Sequence, residues 1–313
     1  MKKIKLEEDI RQTLTFINDL KKSNNIADYD IKLKYVKIIK KYILTNSPIE
    51  RVSFYKNVAF DADVSLFSVI IYKLAYKYIE QYGGCIDYQD AIIGKYKILL
   101  NNGIELIGDT MNSFTTSVNE YLRRTYPFPT GCDHWESYLF ENSDKVDTSI
   151  FSEFAKVNHT IGNFIPVPKE FNFSRYSLTK DFWDITLLGI WEWYLSGDKN
   201  QRNNELLKKI IGGKNQLNHV NICSKWLNEC FKDWDDFIEK NYLQSFVSGS
   251  SNRPIELWDG HLYEDKTDKV IKNIKRLPVK LSTQGLENKQ FEQFFSRATD
   301  AIKIRGNNIV QKL

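Results

Sequence analysis

The chain has 313 residues, with 44 Lys and Arg against 40 Asp and Glu, a formal net charge of +4, 42% hydrophobic residues and 14% aromatics. That length and apolar content suffice for one large or two medium domains without disulfide staples, and the aromatic richness argues against a disordered chain. The mild positive charge permits a local nucleic-acid patch without demanding one.

Met1-Lys2-Lys3-Ile4-Lys5 leads into a charged helical pattern rather than a secretory signal. The run near Val64 to Ile71 is too short to span a membrane, so no membrane role is expected. Residues 5–22 and 28–45 repeat apolar groups at helical spacing, with Ile31, Tyr35, Ile38, Ile39 and Tyr42 in one stripe. Residues 64–81 predict a buried helix that Gly83-Gly84 ends. Lys95–Leu100 and Ile104–Ile107 flank Asn101-Asn102-Gly103, a strong hairpin signal. Asp109 is placed to cap a following helix. That helix ends in Arg123-Arg124, before a loop imposed by Pro127 and Pro129. Further helices are expected over 147–157, 180–196, 203–211, 217–231 and 233–246, then a loop or linker over 248–262. A long amphipathic helix over 286–312 carries Phe291, Phe294, Phe295, Ala298, Ile302 and Ile309. Its Arg297, Lys303, Arg305 and Lys312 read as a solvated face, and Trp183, Trp191, Trp193 and Tyr194 as core. Cys85, Cys132, Cys223 and Cys230 contain no Cys-x-x-Cys pair, which argues against a zinc ribbon. Cys223 and Cys230 share a helix face and read as buried thiols, in a reducing cytoplasmic setting.

The fold class expected is mainly α with a small β-hairpin element (α+β). It is a helical bundle around a degenerate ββα-metal-like motif. Residues 1–82 form an N-terminal helical region, 83–247 a central domain with the candidate site, and 248–313 a linker and a helix packing back on the core.

The candidate site centres on His159-Thr160-Ile161-Gly162-Asn163, followed by Phe164-Ile165-Pro166-Val167-Pro168 and by Asn172. Asp133-His134 stands upstream. Asp-His, then Asn, then Asn is the order of parts in a ββα-metal nuclease site. Such chemistry needs an activated water, a held phosphate and a stabilised leaving oxygen, and a divalent Mg or Mn ion serves the last two. Asp133 and Asn172 are candidate ligands of that hard ion. His134 is the candidate general base and His159 a second catalytic candidate. Asn163 would orient the imidazole through its amide. Arg123, Arg124, Arg175 and Lys180 are candidate nucleic-acid contacts. Neither a Gly-x-x-x-x-Gly-Lys-Ser/Thr loop nor a Gly-x-Ser-x-Gly elbow is present.

Residues 158–175 resemble the end of the HNH-type domain of GmrSD-like type IV restriction enzymes. In that family a His-Thr-Leu-Gly-Asn segment is followed by an Asn, then a Phe and a Lys, much as Lys180-Asp181-Phe182 stands here. The resemblance carries to Asn163 and Asn172. The family's upstream His sits in a His-Ile-x-Pro setting, whereas here Asp133-His134-Trp135 lacks the Ile and Pro. A broader stretch, about 105–247, resembles an uncharacterised bacterial family pairing Asp-Thr-Met-x-Ser with His-Thr-Ile-Gly, matched by Asp109-Thr110-Met111-Asn112-Ser113 and residues 159–162. The first resemblance implies a nuclease in a bacterial defence or phage-related setting. The alternative is a non-catalytic helical protein binding a protein partner or nucleic acid. On that alternative Gly162-Asn163 is a turn before a strand, His159 fixes that turn, Asp133 caps a helix at His134, and Arg123-Arg124 answers a helix dipole.

Overall fold

The computed structural model of the chain describes residues 62–64, 66–90, 95–128, 138–139, 141–142, 144–158, 160–169, 171, 183–210, 216–249, 251–257 and 288–313, together with Arg11 and Thr15. Apart from those last two, which are helical, the expected helices over 5–22 and 28–45 lie outside the described residues.

Four strands make an antiparallel sheet in sequence order: β1 (Cys85–Asp90), β2 (Lys95–Leu99), β3 (Glu105–Thr110) and β4 (Phe164–Pro168). The Asn101-Asn102-Gly103 signal gives the β2–β3 hairpin, with Gly103 at φ 81°, a left-handed position that favours glycine. β1 goes beyond the sequence expectation and pairs with β2 from Cys85–Leu99 to Asp90–Lys95. β4 arrives from far along the chain and pairs with β3, Leu106 opposite Pro168 and Thr110 opposite Phe164. All five β4 residues are buried, and its two prolines suit a strand that ends the sheet order.

The expected helix over 64–81 is two, α1 (Leu66–Ala75) and α2 (Lys77–Gln81), because Tyr76 between them is extended at φ −90°, ψ 96°. Next comes α3 (Phe114–Thr125). Its cap is Ser113, whose hydroxyl accepts from the Thr116 amide; Asp109, expected in that role, is a β3 residue. There follow α4 (Ser149–Val157), α5 (Trp183–Leu195), α6 (Asn204–Ile210), α7 (Gln216–Cys230), α8 (Trp234–Lys240) and α9 (Asn288–Val310). The helix expected over 233–246 stops at Lys240, and Tyr242 turns the chain at φ 58°. The architecture is therefore mainly helical with a small antiparallel sheet, an α+β fold. Among the described residues no helix is long and apolar enough to cross a membrane.

One hydrophobic core draws on all three sequence regions, from Val69 through Phe164 to Ile309. α9 supplies Phe291, Phe294 and Phe295, whose rings meet Tyr121 of α3 and Phe151 and Phe154 of α4 edge-on or tilted. Trp183, Trp193 and Tyr194 are core residues as expected, whereas Trp191 is only partly buried. Cys223 and Cys230 are buried free thiols.

Candidate functional site

Between α4 and β4 the chain makes a single 3-10 turn, Ile161–Asn163. Such a turn closes few hydrogen bonds of its own, so its shape depends on what surrounds it. Three side chains or contacts fix it.

The first is Asn163, which is fully buried. Its Oδ1 accepts from the Asn112 amide at 3.0 Å and its Nδ2 donates to the Asn112 carbonyl at 3.0 Å. The side-chain amide thus pairs with one backbone residue as a strand partner would, prolonging β3 beyond Thr110. The same Nδ2 donates to the Asn158 carbonyl at 2.8 Å. The Asn163 carbonyl accepts from Met111 at 2.8 Å, and its amide donates to Thr160 at 2.9 Å. Thr160 is held in turn by its hydroxyl and amide, both donating to the Val157 carbonyl. The residues on either side of His159 are therefore buried and tied, while His159 itself lies outside the described residues.

The second is Arg305 of α9, expected on a solvated face but fully buried. Its Nη1 faces the carbonyls of Ile161, Gly162 and Phe164 at 3.3, 2.7 and 2.8 Å. Its Nε donates to the Asn241 carbonyl at 3.1 Å and its Nη2 to the Tyr76 hydroxyl at 2.6 Å. Burial pushes the Tyr76 phenol up to about 12, against the opposing pull of the guanidinium. The burial of Arg305 has a simple cause. Phe291, Phe295, Ala298, Ile302, Arg305 and Ile309 advance by four, three, four, three and four, so Arg305 falls in the apolar stripe.

The third is Gly162. A Cβ built there would stand 2.1 Å from the Ile302 carbonyl oxygen and 3.0 Å from the Gly306 Cα. The turn and α9 meet backbone to backbone, which only glycine allows.

Asp109 and Asp184 are buried carboxylates that tie α5 to its neighbours. Asp109 accepts from the Trp183 indole at 3.1 Å, joining β3 to α5. Asp184 accepts from its neighbour Ile185 at 2.9 Å and from Leu257 at 3.2 Å. Burial raises its carboxyl to about 6, against the lowering effect of those amide bonds.

Of the expected site residues, Asn163, Arg123 and Arg124 are described. Arg123 is exposed at the end of α3. Arg124 is turned inward and donates to Glu120 at 2.6 Å, with only 7% of its side chain exposed, and desolvation lowers its pKa despite that partner. Asp133, His134, His159, Asn172, Arg175 and Lys180 lie outside the described residues. Among the described residues no three His, Cys, Asp or Glu side chains gather into a set that could hold a metal ion. Comparison of the chain with protein-family models, with curated proteins and with solved structures finds no match.

Proposed function

We propose that the chain is an HNH-like, metal-dependent nuclease, or a descendant of one, acting on nucleic acid in the cytoplasm in a bacterial defence or phage-related setting. The observation that supports it is the Asn163 clamp. One buried amide fastens the end of β3 and the carbonyl just before His159, and a reacting imidazole must be held in a fixed place by a shell of this kind. In this reading Asn163 acts through the backbone. His134 or His159 takes the proton from the attacking water, since imidazole titrates near neutral pH. Asp133 and Asn172 would hold the divalent ion, which when bound offsets charge on the phosphate. Arg123, Arg175 and Lys180 would contact the phosphate backbone, while Arg124 serves Glu120 first.

A second reading rests on the same clamp. Asn163 is wholly inside and bonded to backbone, which suits a non-catalytic scaffold that binds nucleic acid or a protein partner. Plasmid and RNA cleavage with Mg²⁺ or Mn²⁺ separates the two, comparing the natural chain with His134→Ala and His159→Ala. Cleavage lost in one variant and kept in the other supports the nuclease and identifies the base. Binding without cleavage in every sample sinks the nuclease reading in favour of the second.

A further inference from the structure

We infer that Arg305, on the last helix, is the positioning residue of the turn next to His159, setting its backbone from more than 140 residues away. The inference rests on the proposed nuclease only for its catalytic consequence; the geometry stands without it.

Three carbonyls of one short turn, those of Ile161, Gly162 and Phe164, converge on a single guanidinium nitrogen. Oxygens that close repel one another, and a buried cation reverses that repulsion. Among the described residues the partners of Arg305 are five neutral oxygens: these three, the Asn241 carbonyl and the Tyr76 hydroxyl. Among the described residues no carboxylate pairs with it directly, so its partners are four backbone carbonyls and one phenol hydroxyl. A fully buried guanidinium without such partners would be untenable, so the cation and the turn need each other. The one-residue step from Arg305 to Gly306 brings α9 against Gly162, leaving no room for the turn to shift along the helix. Asn163 fastens the turn to β3; Arg305 fastens it to α9. Together they leave the turn from Thr160 to Phe164 little freedom, and His159 precedes that turn in the sequence. Lysine cannot replace this arrangement, because its single ammonium cannot reach Asn241, Tyr76 and three turn carbonyls at once.

The test uses the full chain, its Arg305→Lys and Tyr76→Phe variants, and amide hydrogen exchange. Arg305→Lys should speed exchange at Met111, Asn163 and Phe164 by about ten-fold or more while the β1–β2 pairing and α7 keep their rates. Tyr76→Phe, which removes the hydroxyl on Nη2 and keeps the three Nη1 contacts with the turn, should leave those three amides unchanged. Where the natural chain cleaves nucleic acid, Arg305→Lys should lower kcat about ten-fold with KM unaltered. A uniform acceleration across the chain, no acceleration at the turn, or the same effect from Tyr76→Phe would overturn the inference. A natural chain that does not cleave removes the nuclease reading, and the exchange pattern still decides the role of Arg305. If Arg305→Lys does not fold, graded denaturant on the natural chain decides it. The amides of Asn163 and Phe164 must then open together with those of Ala301 and Ile302, and independent opening would sink the proposal.

Discussion

Replacing Gly162 by Ala gives the sharpest test of how the turn and α9 are joined. The new Cβ would lie 2.1 Å from the Ile302 carbonyl oxygen, 2.9 Å from the Gly306 nitrogen and 3.0 Å from its Cα, all backbone atoms that no rotamer change can move. Restoring ordinary contact requires α9 to retreat by about 1.3 Å, an overpacking strain that by itself costs about 1–3 kcal/mol. The retreat also stretches the Arg305 bonds to Gly162 and Phe164, now 2.7 and 2.8 Å, beyond hydrogen-bond range. Hydrogen bonds to a charged group contribute about 1.5–3 kcal/mol each. Strain and the two lost bonds together set an expected loss of about 4–9 kcal/mol, comparable with the whole stability of a marginal domain. Gly306→Ala is the control on the other side of the same contact. Its Cβ would meet Gly162 at 3.4 and 3.5 Å, which is ordinary packing, and alanine in a helix interior gains up to about 1 kcal/mol over glycine. Urea unfolding followed by circular dichroism should show the midpoint falling sharply for Gly162→Ala and holding or rising for Gly306→Ala. Equal behaviour of the two variants, in either direction, would refute the packing argument.

Asn163→Asp keeps the acceptor for the Asn112 amide but sets a carboxylate against the carbonyls of Asn112 and Asn158. It should cost about 3 kcal/mol at neutral pH, with part recovered as the medium is acidified and the carboxyl regains a proton, read from unfolding midpoints against pH. Asp184, raised to about 6 by burial, keeps its proton in the folded chain where the unfolded chain has lost it. Stability should therefore fall by about 2–3 kcal/mol as pH rises from 4 to 6, and Asp184→Asn should flatten that slope; an unchanged slope refutes the assignment. Glu120→Gln removes the charge that balances the inward-turned Arg124, for an expected loss of about 3 kcal/mol by thermal or urea unfolding. In the native chain a thiol reagent should modify exposed Cys85 well before Cys223 and Cys230, whose thiols burial pushes up; labelling all three at one rate would contradict the packing of α7.

The elements legible in the sequence are those whose cause is local. Asn101-Asn102-Gly103 turns the chain because Gly103 accepts a positive φ, and the stripe of α9 is written in its own spacing. What the sequence hides is decided by distant partners. Tyr76 breaks an otherwise continuous helical pattern, and its ring lies edge-on to Tyr72, Tyr78 and Tyr242 while its hydroxyl receives Arg305. Asp109 looks like a helix cap, yet the strand continues through it and its carboxylate takes the Trp183 indole, 74 positions away. Nothing near Phe164–Pro168 says that β3 is its neighbour; that pairing reaches across α3 and α4. Arg305 was readable in principle, because an arginine inside an apolar stripe must be buried or snorkel, but its charge favours the solvated reading.

The same division bears on function. Gly162 and Asn163 give the motif its recognisable form, and both are spent inward, one on contact with α9 and the other on backbone amides and carbonyls. A residue so fully engaged does not meet a substrate; it decides where its neighbours stand. In the proposed nuclease the chemistry would fall instead to residues on either side of the clamp in sequence: His159, Asn172 and the Asp133-His134 pair. Retaining the clamp while losing those flanking groups would leave a stable scaffold, and adding them to an unclamped turn would leave them unplaced. The clamp is thus the part that a nuclease and a non-catalytic descendant would share, and the flanking side chains are where the two must differ.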